Sequence, residues 1–166
     1  MSKYGKSDFK ELRNLQKNLE KLNQQQVDLF MEACAKELAA RLLAKVIKRT
    51  PVRKPEDCPP GVKGGTLRRG WTTQANGSGA EGMKSNGASQ YVDTLKIHHF
   101  GNTYVIEIVN PVDYASYVEF GHRTANHKGW VKGQFMLTIS EQEIENAAPA
   151  ILEKKLMKLL GECFND

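Results

Sequence analysis

Apolar residues recur every three or four positions through the first third of the chain, and this spacing predicts two helices. Phe9, Leu12, Leu15, Leu19 and Leu22 form a narrow seam behind Asp8, a good N-cap. After the polar run 23–26 the pattern resumes with Val27, Phe30, Met31, Cys34, Leu38, Leu42 and Val46. Ala35, Ala39, Leu43 and Ile47 widen the second stripe, so that helix is expected to pack on more than one side. Lys45, Lys48 and Arg49 crowd its last turn, where they favour the negative end of the helix dipole, and Pro51 stops it. Residues 51–65 hold four prolines and three glycines, the composition of a partly extended loop. Residues 66–71 read as a short helical turn or the start of a strand, anchored by Trp71. Residues 74–90, rich in Gly, Ser, Asn and Ala, read as a mobile loop, as does part of 53–65.

Beyond residue 90 the period changes to two. Leu95, Ile97 and His99 share one face of a strand expected over 91–100, and Tyr104, Ile106 and Ile108 alternate with Val105, Glu107 and Val109 in a second. Gly101-Asn102 between them supplies the positive φ of a two-residue hairpin turn. Pro111 ends the second strand, Asp113 is placed to cap a short helix over 114–120, and Gly121 to stop it. A basic, glycine-bearing loop over 122–133 leads into a last apolar stripe, Phe135, Met136, Ile139, Ile144, Ala148, Ile151, Leu152, Leu156, Leu159 and Leu160. Pro149 is expected there to separate two helices or to occupy a first turn. The order predicts an α+β fold: N-terminal helices and a C-terminal helix packed on a small antiparallel sheet containing a β-hairpin. Residues 1–26 form a helical extension and 27–166 a single domain, with the stripes 27–47 and 135–160 packed together against the hairpin.

Charge changes this picture in one place. The net charge is +5, yet residues 41–70 carry nine basic and two acidic side chains, so the excess sits in one block. Lys45, Lys48, Arg49, Arg53, Lys54, Lys63, Arg68 and Arg69 make up a basic surface facing either DNA or a protein partner. Without interleaved aromatics in 41–69, base stacking has little support, and contacts to DNA would be sequence-independent phosphate contacts. No run approaches the ~18 apolar residues of a membrane span. The polar start of the chain argues against a secretory signal. Three widely separated cysteines, Cys34, Cys58 and Cys163, argue for free thiols rather than a disulfide framework.

Candidate chemistry is sparse. His98 and His99 are adjacent in a strand and point to opposite faces, which disfavours a shared metal. His122 and His127 could be folded together with Glu119 or Asp113, but without the spacing of a zinc site. The pattern Glu141-x-Glu143-x-Glu145 reads as a solvated helix face. No phosphate loop, nucleophile elbow or Cys-x-x-Cys occurs, so neither an enzyme nor a bound cofactor or metal is expected.

The most unusual stretch is 114–124, in which Tyr114, Tyr117 and Phe120 recur every third residue on one helical face, beside Glu119, Gly121, His122 and Arg123. The aromatics either pack on the sheet or anchor an interface, with Glu119 pairing with Arg123 or with a basic group of a neighbouring subunit. This stretch, with Gly129-Trp130-Val131 and Gln134-Phe135-Met136-Leu137, resembles the C-terminal signature of the tail-component proteins of lambdoid-type long-tailed phages. These are also called neck or tail-completion proteins. Members read similarly: an aromatic helix ending in Glu-aromatic-Gly, a variable basic loop, then an aromatic-Met-Leu pair opening a helix. Thr50-Pro51-Val52 and the later Thr66-Leu67-Arg68-Arg69-Gly70-Trp71 also match. Two departures stand out: residues 53–65 are inserted where the family has a shorter link, and Gly70 stands where Ser is common.

The resemblance covers about residues 27–160. It implies a non-enzymatic subunit at the phage head–tail junction, assembling into a ring with copies of itself and meeting head-closure and tail proteins. It also implies residence in the virion, with the host cytoplasm as the place of assembly and with non-specific contact to DNA in the channel. The acidic C-terminal helix and the basic 41–70 block would then be complementary patches between copies. The basic block and a pI near 9.1 also fit a small nucleic-acid-binding protein, and a third reading is a metal-dependent hydrolase around His122 and His127.

Overall fold

A computed structural model of the chain describes residues 17, 24–62, 64–72 and 88–164. Apart from Lys17, the expected helix over 9–22 lies outside these residues, as do Lys63, Thr73 and residues 74–87 of the expected mobile loop. The fold is α+β, with five helices and two small antiparallel sheets among the described residues.

Helix α1, Gln24–Arg49, is the spine. Its stripe buries Cys34, Leu43, Val46 and Ile47, while Val27, Leu29 and Met31 near its start stay exposed. Its C-terminal half therefore faces the core. Thr50 closes it: the Thr50 amide and hydroxyl both donate to the Val46 carbonyl, at 2.8 and 2.7 Å, and Pro51 has no N–H to continue the ladder. Burial among apolar side chains raises the Cys34 thiol above its ordinary pKa, keeping it protonated.

The motif at 66–71 is a helical turn, α2 (Thr66–Gly70), fastened to that helix end. Trp71 Nε1 donates to Thr50 Oγ1 at 2.8 Å, and the Arg68 guanidinium donates twice to the Thr50 carbonyl, at 3.1 and 2.6 Å. These bonds satisfy a helix C-terminus that would otherwise be buried unpaired. Gly70 is packed against Asn110, whose amide donates to the Leu67 carbonyl at 2.9 Å. A Cβ at position 70 would overlap the Asn110 side chain and stand 2.9 Å from Val112. Glycine at position 70 thus leaves the space that the Asn110 side chain fills.

Residues 88–90 depart from the expected mobile loop and 91–94 from the expected strand. Ala88–Thr94 is a helix, α3, with Ala88, Tyr91 and Val92 buried. Ala88, Tyr91, Val92 and Leu95 are spaced i, i+3, i+4, i+7, a helical pattern obscured by the strand preference of Tyr and Val. The strand begins only at Ile97. β1 (Ile97–Phe100) pairs antiparallel with β2 (Thr103–Ile106), Ile97 opposite Ile106 and Phe100 opposite Thr103. Gly101 makes the turn at φ 61°. This hairpin lies along the start of α1: Tyr104 Oη donates to Asp28 at 2.9 Å, and His99 Nε2 lies 3.1 Å from Glu32.

The last helix, α5 (Met136–Phe164), is continuous through Pro149 instead of divided there. Pro149 removes one ladder bond, but Pro149 and Glu145 are both exposed, so water can serve the freed Glu145 carbonyl. α5 packs along α1, as the two stripes predicted, and Met136 joins a cluster of Leu43, Val46, Ile47, Leu67, Trp71, Tyr91 and Val92. Polar clasps flank the seam. Glu143 accepts from Lys45 and Arg49, each at 2.6 Å, and Arg49 also reaches the buried Ser140 hydroxyl at 2.6 Å. Further along, Lys155 meets Glu37 at 3.0 Å and donates to the Ala33 carbonyl at 2.7 Å.

The clasps link stability to pH. The hydrogen bond from Lys45, then that from Arg49, lowers the Glu143 pKa; those from Arg41 and then Lys155 lower that of Glu37. A carboxylate with a depressed folded-state pKa contributes stability that is present above its unfolded value, about 4.3. That contribution is lost as pH falls through the depressed folded value. Glu143→Gln should therefore lower the urea midpoint modestly at about pH 7, and the difference from the native chain should shrink as pH falls through the depressed folded value. A constant difference between the two across this range would show that the clasp does not titrate with this carboxylate.

Candidate assembly surface

The aromatic segment forms a short helix, α4 (Ala115–Phe120). Its N-cap residue is Tyr114, without a side-chain cap bond, so Asp113 does not cap it as its position had suggested. Ala115 and Val118 turn inward against the core, while Tyr114, Tyr117 and Phe120 are 45, 58 and 60% exposed. Of the two places open to these aromatics, the structure puts them on the surface.

Gly121 ends α4 at φ 88° and opens a feature the sequence had suggested only as a loop. β3 (Gly121–Arg123) and β4 (Trp130–Lys132) form an antiparallel arm, pairing Gly121 with Lys132, His122 with Val131 and Arg123 with Trp130. The tip is internally bonded. Thr124 exchanges backbone and hydroxyl hydrogen bonds with Gly129 at 3.0–3.3 Å, and the Asn126 side chain accepts from the Lys128 amide at 3.1 Å. At its base, backbones approach too closely for any Cβ at Gly121 or Gly133. The Gln134 and Phe135 amides then donate to the Val118 and Glu119 carbonyls at 2.8 and 3.0 Å.

Glu119 is the pivot. It is 5% exposed, and its carboxylate accepts from the amides of Leu137 and Thr138 at 2.9 Å each and from the Thr138 hydroxyl at 2.7 Å. It is thus a cap for the first turn of α5, supplied from 18 residues upstream, which replaces the expected pairing with Arg123. The arm is thereby locked to the core helix at its root.

Around this root the surface is apolar. Trp130 is 61% exposed, Val131 is exposed, and His122 stacks edge-on against Tyr117 with centroids 5.7 Å apart. A groove of about 550 Å³ between the 51–65 loop and α4, lined by Val52, Val62, Leu67, Tyr114 and Val118, adjoins it. Arg123, Lys128 and Lys132 are exposed, and residues 121–140 contain no carboxylate. The strand-favouring pair Trp130-Val131 and the bracketing glycines 121 and 133 were the signals for this arm.

Several members of the basic block have partners within the subunit. Lys45 and Arg49 are bound to Glu143, Arg68 to Thr50, and Arg69 to the Gly64 carbonyl and Thr66. Lys48, Arg53 and Lys54 remain exposed, Lys54 lying 3.6 Å from Glu56. One acidic residue of the last helix, Glu143, thus meets two members of this block inside one subunit.

A family model described as "Bacteriophage HK97-gp10, putative tail-component" matches residues 13–121, from ahead of α1 to the end of α4. Comparison with curated proteins and with solved structures finds no match.

Proposed function

The chain belongs to the HK97-gp10-like family of phage tail components, and on that footing we propose that it is a non-catalytic, ring-forming subunit of the head–tail junction. The observation that carries this reading is the exposed aromatic surface on a rigid support. Tyr114, Tyr117, Phe120 and Trp130 stand in solvent while Glu119, beside them, is fixed in the fold. Large exposed aromatics on an ordered scaffold are the anchors by which protein surfaces recognise each other. Head and tail share a rotational axis, and a closed ring about that axis uses head-to-tail contacts between different patches of identical copies. Its partners are then further copies of itself and the neighbouring head-closure and tail proteins, in the virion after assembly in the host cytoplasm. The channel would bring exposed Lys48, Arg53 and Lys54 within reach of DNA phosphates.

A Tyr117→Ala/Phe120→Ala/Trp130→Ala chain tests the reading. It should keep the native circular dichroism spectrum, sediment as a monomer where the native chain sediments as a closed oligomer, and leave heads and tails unjoined in a complementation assay. Full plaque formation by the triple variant would overturn the proposal. A native chain that is monomeric but retained on DNA at moderate salt would favour the small nucleic-acid-binding protein instead.

A further inference from the structure

We propose that the β3–β4 arm of one copy lies on the outer stripe of α5 of the next, basic residues on acidic ones. This rests on the ring reading above and names the two patches that would meet.

Cross-strand partners lie on the same side of a sheet, and residues two apart share a face. Arg123 faces Trp130 across the arm and Lys132 is two residues from Trp130, so Arg123, Trp130 and Lys132 share one face, with Lys128 at the tip. That face reads cation, aromatic, cation. The opposite face carries His122 and Val131, and His122 is turned to Tyr117. Gly121 leaves room for the indole: a Cβ there would stand 2.9 Å from Trp130 Nε1.

On α5 the core-facing positions are Met136, Ser140 and Ile144. Glu141, Glu145, Pro149 and Glu153 recur every fourth residue on the outer side, and all are exposed. That stripe reads acid, acid, apolar, acid over about 18 Å. The strand Trp130–Lys132 spans about 7 Å, and Lys128 in the turn beyond it extends the basic face toward the tip. The alternation of charge with one apolar residue matches on the two surfaces, Trp130 against Pro149. Among the described residues neither set has an ion-pair partner inside the subunit, in contrast to Lys45, Arg49 and Glu143. The two patches differ, so their contact is head-to-tail, the kind a ring requires. Opposed charges at such a contact set its register and its rate of formation.

The test is a charge reversal read by sedimentation of the full chain at low and high salt. Arg123→Glu/Lys128→Glu/Lys132→Glu and Glu141→Lys/Glu145→Lys/Glu153→Lys should each stay folded by circular dichroism and associate at least tenfold more weakly. Mixing the two variants should restore assembly, since each supplies the patch the other lacks, and a chain carrying both reversals should assemble alone. Oligomers unaffected by either single reversal, or folded variants that no combination restores, would overturn this contact and leave the ring reading standing. An arm reversal that abolishes DNA retention with the oligomer unchanged would assign the arm to nucleic acid and likewise overturn it. A native chain that stays monomeric at every concentration would remove the ring reading itself.

Discussion

Replacing Glu119 by alanine should cost about 2–5 kcal/mol of stability, enough to unfold much of the population of a marginally stable domain. The carboxylate holds two amides and a hydroxyl at the start of α5. Its removal leaves those donors unpaired in a partly buried place and takes a negative charge from the positive end of the helix dipole. Glu119→Gln should lie between, since an amide offers one accepting oxygen where the carboxylate offers two. Arg123→Ala, on the exposed arm, should be neutral within about 0.5 kcal/mol. Urea unfolding followed by circular dichroism separates these outcomes, and native stability in Glu119→Ala would remove the cap from the account.

This residue shows how far the sequence could be read. Glu119 in its aromatic setting marked 114–124 as special, but its position suggested a charge pair, with Arg123 or with a basic group of a neighbouring subunit. Its true partners lie at 137 and 138, and no periodic pattern connects them. One trace was there. α5 begins after Gln134-Phe135, with none of the Ser, Thr, Asp or Asn that usually caps a helix at that place. A long helix without its own cap needs one from elsewhere.

Leu43→Asp should abolish folding altogether. Leu43 is fully buried amid residues from α1, α2, α3 and α5, and an unpaired carboxylate there has no solvent to reach. Even Leu43→Ala should cost about 2–5 kcal/mol through the cavity it leaves. Leu38→Asp, on the same stripe but only half-buried, should be milder. Soluble, cooperatively melting Leu43→Asp protein would show that the core is elsewhere.

The stripe itself was legible from period alone; its centre was not. The period put Leu38 on the main stripe and Leu43 only on its widened edge, yet it is Leu43 that lies in the cluster with Leu67, Trp71, Tyr91 and Val92. Where the sequence reading went astray, a local preference had been outweighed by tertiary contact. Tyr91 and Val92 prefer strands yet lie in α3 because that places both in the core. Pro149 breaks helices in general, but here costs one exposed ladder bond in a helix held along its length by α1. The basic loop became an arm because its root is fixed by close backbone approaches that only glycines allow, at positions 121 and 133. The hairpin at Gly101, the stop at Pro51 and the pairing of the two long stripes were all readable, since each depends on local chemistry or a strong period.

The pairing of α1 with α5 also bears on how the protein is made. The faces that cover each other come from opposite ends of the folded domain, with Lys45 meeting Glu143 across 98 positions of chain. On a ribosome adding about 5–20 residues per second, α1 is finished on the order of ten seconds before α5 begins to appear. Throughout that interval Leu43, Val46 and Ile47 lack one wall of their core. A newly made α1 is thus a helix whose apolar face is still partly uncovered. The lysines and arginines of its last turns have no Glu143 yet to hold them, so that end of the helix carries uncompensated positive charge until α5 arrives.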